Sequence, residues 1–359
     1  MREAAVFARR GTGATYPNPC VGALIVKGGE VVAKGRSSRA GGPHAEVVAI
    51  GKAGEAARGA DLYVTLEPCS HHGRTPPCTG AILRAGIRRV FVAIKDPNPQ
   101  VRGKGIAKLR RAGVEVRVGV GEEDARALHE HYLFAQERGR PFVTLKAAVS
   151  IDGRIATHNG HSQWITGESA RRSAHQLRAR HHAIAVGAET LLSDDPALTV
   201  RMVKGVDPKV VVFDPRLRCG REGVGPLRAL REGSIVLHAS DPGVDRVERL
   251  RDLGVETVRV GSRRRGAHPQ LRIEGALAAL AKREIRSLMV EGGGRLLGSF
   301  VARDLFEELY LYDAPIILGE GRPVFAWSGP QSVDRAPRLE RVRTQVLGQD
   351  RLTVYRRRG

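Results

Sequence analysis

Short apolar runs alternate along the chain with segments whose apolar residues recur every three or four positions. Near the start, 21–26 and 31–33 read as strands joined by Lys27-Gly28-Gly29-Glu30, a hairpin signal. Helical spacing over 44–57 precedes a strand at 62–65, a helix at 78–85 and a strand at 90–94. A helix at 105–112, a strand at 114–118 and a helix at 123–137 complete this part. Strands alternating with helices predict a three-layer α/β domain. At Arg138-Gly139-Arg140-Pro141 the pattern resets, because Gly and Pro end the helix and a new apolar strand begins at 142–149. The boundary is therefore placed to give domains 1–141 and 142–359.

The second part alternates again. Helices are expected at 168–179, 244–253, 273–282 and 293–301, with strands near 183–186, 210–213, 235–237, 287–290 and 308–312. A hairpin of 342–347 and 351–355 closes the chain. With 359 residues, 42% hydrophobic and 27% charged, this is the composition of a soluble two-domain enzyme. No apolar run is long enough to span a bilayer, and the N-terminus lacks the pattern of a secretory signal. Four unevenly spread cysteines do not make a disulfide framework, so a cytoplasmic protein is expected. The net charge of +21 comes from 49 Arg and 10 Lys scattered throughout, with short runs at 263–265 and 356–358. Aromatics are only 4%, too few for a stacking platform on single-stranded nucleic acid. The excess reads as a solvated surface, with a few Arg residues serving an anionic small substrate and no specific nucleic acid or membrane partner.

The strongest chemical signal is Pro43-His44-Ala45-Glu46, followed by Glu67-Pro68-Cys69 and then Pro77-Cys78. One His and two Cys suit Zn²⁺ with its fourth position open, the mark of a catalytic rather than a structural zinc. Glu46 lies two residues beyond His44, as the proton carrier does in zinc deaminases. His44 and Cys69 are both expected to open helices. The bland alternatives are a helix-start histidine with two buried thiols, or a closed site completed by His71 or His72. The joint occurrence of both halves, in order, favours the deaminase. Eight residues separate Cys69 from Cys78, against two in nucleoside and tRNA deaminases, so a different substrate is expected. A nucleic-acid base deaminase with an accessory domain is the competing reading.

Tyr16-Pro17-Asn18-Pro19-Cys20, His44-Ala45-Glu46, Glu67-Pro68-Cys69-Ser70-His71 through Cys78, and Asp96-Pro97-Asn98-Pro99 resemble the bifunctional deaminase–reductases of riboflavin biosynthesis. The stretches 145–153, 162–166, 194–201 and 290–293 extend that resemblance over nearly the whole chain. It implies a cytidine-deaminase-like domain followed by a dihydrofolate-reductase-like α/β domain. The implied activities are zinc-dependent deamination of 2,5-diamino-6-ribosylamino-4(3H)-pyrimidinone 5′-phosphate, then NADPH-dependent reduction of its ribosyl group. By resemblance, His44, Cys69 and Cys78 hold one zinc per chain, Glu46 is catalytic, and Asn18 fixes the pyrimidine. Ala148, Trp164, Thr190, Asp194, Gly293, Gly294, Arg295, Leu296, Leu297, Gly298 and Ser299 would contact NADPH. Lys146, Ser162, Arg178, Leu198, Arg201 and Glu291 would contact the phosphorylated substrate, Arg178 and Arg201 converging on its phosphate. A homo-oligomer is expected. The chain departs from the family at His129, expected to serve interdomain structure, and at Pro215.

Overall fold

The structure is a computed structural model that describes residues 1–73, 75–239, 243–265 and 268–358. It divides into two compact units, Met1–Gly139 and Arg140–Gly359.

The first unit has five strands: β1 (Gly22–Lys27), β2 (Glu30–Arg36), β3 (Asp61–Val64), β4 (Arg89–Val92) and β5 (Glu115–Val118). Its helices are α1 (Arg2–Arg9), α2 (Ala45–Ala53), α3 (Cys78–Arg84), α4 (Lys104–Arg111) and α5 (Glu122–Arg138). The sheet order is β2-β1-β3-β4-β5, antiparallel across β2-β1-β3 and parallel from β3 to β5. Ala23, Ile25, Leu62, Val64, Val90 and Val92 present one face to Ala45 and Ala49 of α2, Ile82 of α3 and Leu109 of α4. Helices α1 and α5 pack together away from that core, giving three layers. Helix α2 is shorter than the spacing suggests, because the chain leaves it at Gly54 (φ 53°) into a 3-10 turn over Gly54–Ala57.

In the second unit β6 (Phe142–Ser150) and β7 (Arg154–Ala156) precede α6 (Glu168–Arg178), β8 (Ala183–Gly187), α7 (Ala188–Asp194) and β9 (Lys209–Phe213). Next come β10 (Ile235–His238), α8 (Val244–Asp252), β11 (Glu256–Arg259), β12 (Ser262–Arg265), β13 (His268–Leu271) and α9 (Ile273–Ala281). Then follow β14 (Ser287–Val290), α10 (Gly294–Val301), β15 (Glu308–Ala314), β16 (Arg322–Pro323), β17 (Leu339–Leu347) and β18 (Asp350–Arg357). Nine strands form one sheet in the order β11-β10-β9-β8-β14-β6-β15-β18-β17. The first seven are parallel and the last two form the closing antiparallel hairpin.

Both faces of the central strands β8 and β9 are apolar, as a covered parallel sheet requires. Along β8, Ala183 and Ala185 face the core beneath α9 and α10, whereas Ile184 and Val186 face that of α7 and α8. Helix α7, strand β11 and the short pair β7–β16 lack a sequence pattern long enough to announce them. The chain runs outward from β8 to β11, then returns to insert β14 between β8 and β6. Such a reversal opens a crevice at the carboxyl ends of parallel strands, where ligands bind in folds of this class. The side chains of the basic run 263–265 lie outside the described residues.

Candidate active sites

In the first unit, two glycines permit backbone contacts that place the chemistry. A Cβ on Gly35 would come within 2.1 Å of the Ala45 carbonyl oxygen, so β2 lies directly against the start of α2. His44 is the residue before that helix and Glu46 lies in its first turn. A Cβ on Gly105 would meet the Pro68 carbonyl oxygen at 1.9 Å, so α4 abuts the loop that ends in Cys69. The Glu67 carboxylate locks this junction by accepting N–H groups of Asp96, Gly103, Gly105 and Ile106 at 2.9–3.3 Å. Glu67 was read only as part of a motif, and its structural task has no signature at the sequence level.

Cys69 does not open a helix as expected. It lies in the loop after β3, while Cys78 begins α3. Proline at 76 and 77 delays the helix, and the Thr79 N–H donates back to the Cys69 carbonyl at 3.1 Å. His44 Nδ1 is 3.1 Å from Cys78 Sγ and 3.6 Å from Cys69 Sγ. The three donor atoms lie within 4.8 Å of one another, and no further His, Cys, Asp or Glu joins them among the described residues. The closed site with His71 or His72 is therefore not formed by those residues. Arg74, between the cysteines, lies outside the described residues.

The electrostatics of this cluster fit a cation. The hydrogen bond from Cys78 pulls the Cys69 thiol down to about 4, against its burial, while that interaction and burial push the Cys78 thiol up. A second thiolate needs a positive charge between the sulfurs, as a thiolate-ligated metal provides. The Cys78 N–H donates to Cys69 Sγ at 3.3 Å, further stabilising the first. Glu46 is 3% exposed and touches Cys78. Burial pushes its carboxyl up, Cys69 adds to this, and its own backbone, His44 and Cys78 oppose it. Asn18 sits apart in sequence on a turn closed by its N–H donating to the Thr15 carbonyl at 3.0 Å. His129 is buried in the first unit, where its Nε2 is 3.0 Å from Thr65 Oγ1 just after β3.

In the second unit, alternate residues of β6 divide the labour. Val143, Leu145, Ala147 and Val149 enter the main core, whereas Ala148 faces the α6 side with Tyr312. Lys146 lies on that same side, with Nζ 5.8 Å from the Tyr312 ring centroid. It donates to Glu291 Oε1 at 2.8 Å, and Arg178 donates to Glu291 Oε2 at 2.8 Å. Burial would raise the Glu291 carboxyl, but Arg178 and Lys146 hold it well below the usual carboxylate range. Arg178 is 7% exposed and also donates to the Thr199 carbonyl. Its fork thus grips Glu291 and the loop carrying Leu198, while Arg201 at the end of that loop is exposed. The Arg201 N–H donates to His175 Nδ1 at 3.3 Å. His175, pushed down to about 4 by burial and then by Arg178 and Arg201, belongs to this cluster and was missed. Its i, i+3 spacing to Arg178 on α6 is the signal that could have found it.

Two residues beyond Glu291, Gly293 precedes α10. A Cβ on Gly293 would approach Thr190 Oγ1 to 3.4 Å, which brings those two residues together. Arg295 and Arg322 both flank Glu189, and Asp194 ends α7 with its carboxyl raised by burial and opposed by Arg322. Leu297 is buried in the core, and Gly298 packs against the Ala326 backbone, where a Cβ would meet its oxygen at 2.8 Å. Ser299 donates to the Arg295 carbonyl at 2.8 Å. Leu296 lies beside Gly292, and Gly294 lies against Pro323. Trp164 is 63% exposed, with the Arg171 guanidinium 4.7 Å from its ring centroid. Ser162, two residues earlier, is partly buried.

The zinc-binding region of cytidine and deoxycytidylate deaminases matches residues 1–94, and the RibD C-terminal domain matches residues 141–353. The riboflavin biosynthesis protein RibD of Aquifex aeolicus is 42% identical over 99% of this chain and 97% of its own length. The chain belongs to the RibD family. It is a bifunctional deaminase and reductase of riboflavin biosynthesis. The Bacillus amyloliquefaciens member of the family is also 42% identical, over 100% of this chain and 96% of its own. Among solved structures, Acinetobacter baumannii RibD superposes with a TM-score of 0.88 at 36% identity, covering 100% of this chain and 98% of that one. A Thermotoga maritima diaminohydroxyphosphoribosylaminopyrimidine deaminase/5-amino-6-(5-phosphoribosylamino)uracil reductase gives 0.84 at 36% identity, covering 100% and 97%. The second half is thus a RibD reductase domain, not the unrelated accessory domain of a nucleic-acid base deaminase.

Proposed function

We propose that residues 1–141 deaminate 2,5-diamino-6-ribosylamino-4(3H)-pyrimidinone 5′-phosphate and that residues 142–359 reduce the ribosyl group of the product with NADPH. The observation that carries this is the convergence of His44, Cys69 and Cys78 with buried Glu46. Zinc on those three side chains supplies the Lewis acidity that makes water nucleophilic near neutral pH. Glu46, its carboxyl raised by burial, takes a proton from the attacking water and delivers it to the departing ammonia. Asn18 offers both donors and acceptors to the pyrimidine edge.

In the second unit the N–H groups at the start of α10, with Thr190 beside Gly293, suit a dinucleotide phosphate. NADPH bound there supplies the hydride. Ala148, Trp164, Asp194 and the stretch 294–299 complete that surface, Leu297 and Gly298 by packing the start of α10 into place beneath it. Lys146, oriented by Glu291, binds the ribosyl group, with Ser162 and Leu198 at its margins. Arg201 reads the phosphate, because Arg178 already spends its fork on Glu291 and Thr199.

Arg117, Arg126 and Arg351 pair with Glu115, Glu122 and Asp313, and the partner is a small phosphorylated pyrimidine rather than a nucleic acid. No helix among the described residues is long and apolar enough to cross a membrane. A homo-oligomer in the cytoplasm completes the reading. Supplying the diamino substrate and NADPH should release ammonia and oxidise NADPH to NADP⁺ in equal amounts. NADPH loss without ammonia release would overturn the order of steps.

A further inference from the structure

An imidazole that ligates through one nitrogen must carry its proton on the other, and that N–H needs an acceptor. His44 directs Nδ1 at both sulfurs, which leaves Nε2 as the proton-bearing nitrogen. Nε2 lies 3.2 Å from Thr75 Oγ1. Thr75 belongs to the segment between Cys69 and Cys78, whose length departs from the two-residue spacing of nucleoside and tRNA deaminases. The segment folds back on itself: Gly73 N–H donates to the Thr75 carbonyl at 3.2 Å, and Thr79 N–H to the Cys69 carbonyl. A two-residue spacer between the cysteines has no chain to spare for such a return.

We propose that Thr75 is a positioning residue for the zinc site, accepting the Nε2–H of His44 and so fixing the tautomer and ring plane that present Nδ1 to the metal. The long spacer then has a physical task beyond accommodating a different substrate: it delivers the hydroxyl that orients His44, the nitrogen ligand among the three. This rests on His44 being a zinc ligand. Carboxylates and carbonyls commonly fill such an outer position and raise ligand basicity. A neutral hydroxyl fixes the ring without adding negative charge beside the two cysteine sulfurs that lie 3.1 and 3.6 Å from Nδ1.

The test is zinc affinity of the full chain, measured by competition with a chromophoric chelator. Thr75→Val keeps the shape and removes the acceptor, and should weaken zinc binding about 10- to 100-fold, the usual cost of losing such a partner. Thr75→Ser restores the acceptor and should keep zinc affinity close to the parent's, well short of the roughly 10-fold loss. In the cobalt-substituted protein, Thr75→Val should shift the visible d–d bands while Thr75→Ser leaves them in place. Parent-like affinity and bands in Thr75→Val would overturn the proposal. So would equal weakening in both variants accompanied by a lower unfolding temperature of the metal-free protein, since that marks a loop-folding role. His44→Ala separates the two levels: undiminished zinc binding there would remove the ligand assignment itself.

Discussion

The deaminase cluster and the reductase cluster bury charge in opposite ways. In the first unit Cys69 and Cys78 compete for one proton, so that ionising one sulfur holds the other protonated. In the second, Glu291 sits between Lys146 and Arg178, each 2.8 Å from one of its oxygens. The first arrangement is completed by an incoming cation. The second is already compensated, and one carboxylate between two cations leaves one positive charge over, to which exposed Arg201 adds another. The two clusters thus differ in which charge each is short of, as the proposed metal-binding and anion-reading roles require.

Removing the compensating carboxylate should break this contrast most strongly. Glu291→Gln leaves two closely placed cations without a counter-charge, and breaking such a pair costs on the order of 3 kcal/mol. The reductase should lose activity and its unfolding midpoint in urea should drop, while ammonia release stays at the parent rate. A variant with parent stability would show that the three groups are not coupled. Arg201→Ala acts on the substrate rather than on the network. Losing one charge-assisted hydrogen bond costs about 1.5–3 kcal/mol, or roughly ten- to more than a hundredfold in an equilibrium constant. KM for the phosphorylated substrate should rise by that factor while KM for NADPH stays put. The reverse pattern would make Arg201 a cofactor residue.

The legibility of the two sites differs for the same physical reason. The three proposed metal ligands and the carboxylate must lie close together, and two of these four groups, His44 at the N-cap of α2 and Glu46 in its first turn, are neighbours in the chain, so their spacing survives in the sequence. The reductase residues are gathered from β6, α6 and the end of β14 by strand register, with Val290 opposite Leu145, and no local spacing records that. Arg178 was readable as a basic group near the substrate, but its commitment to Glu291 and Thr199 depends on tertiary contacts. Thr75 and Glu67 act through hydrogen bonds made across loops, and a hydroxyl or carboxylate in a loop carries no mark of its partner. Strands with apolar residues on both faces, such as β8 and β9, were legible because burial of a parallel sheet writes a continuous apolar run. Helix α7, seven residues long directly after β8, offers too few turns for a period to emerge.

A smaller effect sharpens the comparison through acid. Burial, helped by Arg180, pushes His181 down to about 4; burial, Lys209 and Arg286 do the same to His182. In the first unit burial takes His129 down to about 3. These histidines stay neutral in the fold, whereas the unfolded chain takes up protons below about 6.5. Their contribution is therefore complete above that pH and is lost as pH falls towards 4. Each should subtract about 1–2 kcal/mol between pH 7 and 5. Urea midpoints of the parent should fall over this range, and His181→Gln should flatten the slope. An unchanged slope would mean that His181 is protonated in the folded protein.

The independence of the two sites is the central claim, and Glu46→Ala addresses it in a single preparation. Removing the proposed proton carrier should cut ammonia release from the diamino substrate about 10²- to 10⁴-fold. Zinc content should stay at one per chain, because the proposal keeps Glu46 out of the ligand set, and NADPH oxidation with the already deaminated substrate should run at the parent rate. Loss of both activities in folded, zinc-loaded Glu46→Ala protein would contradict the account.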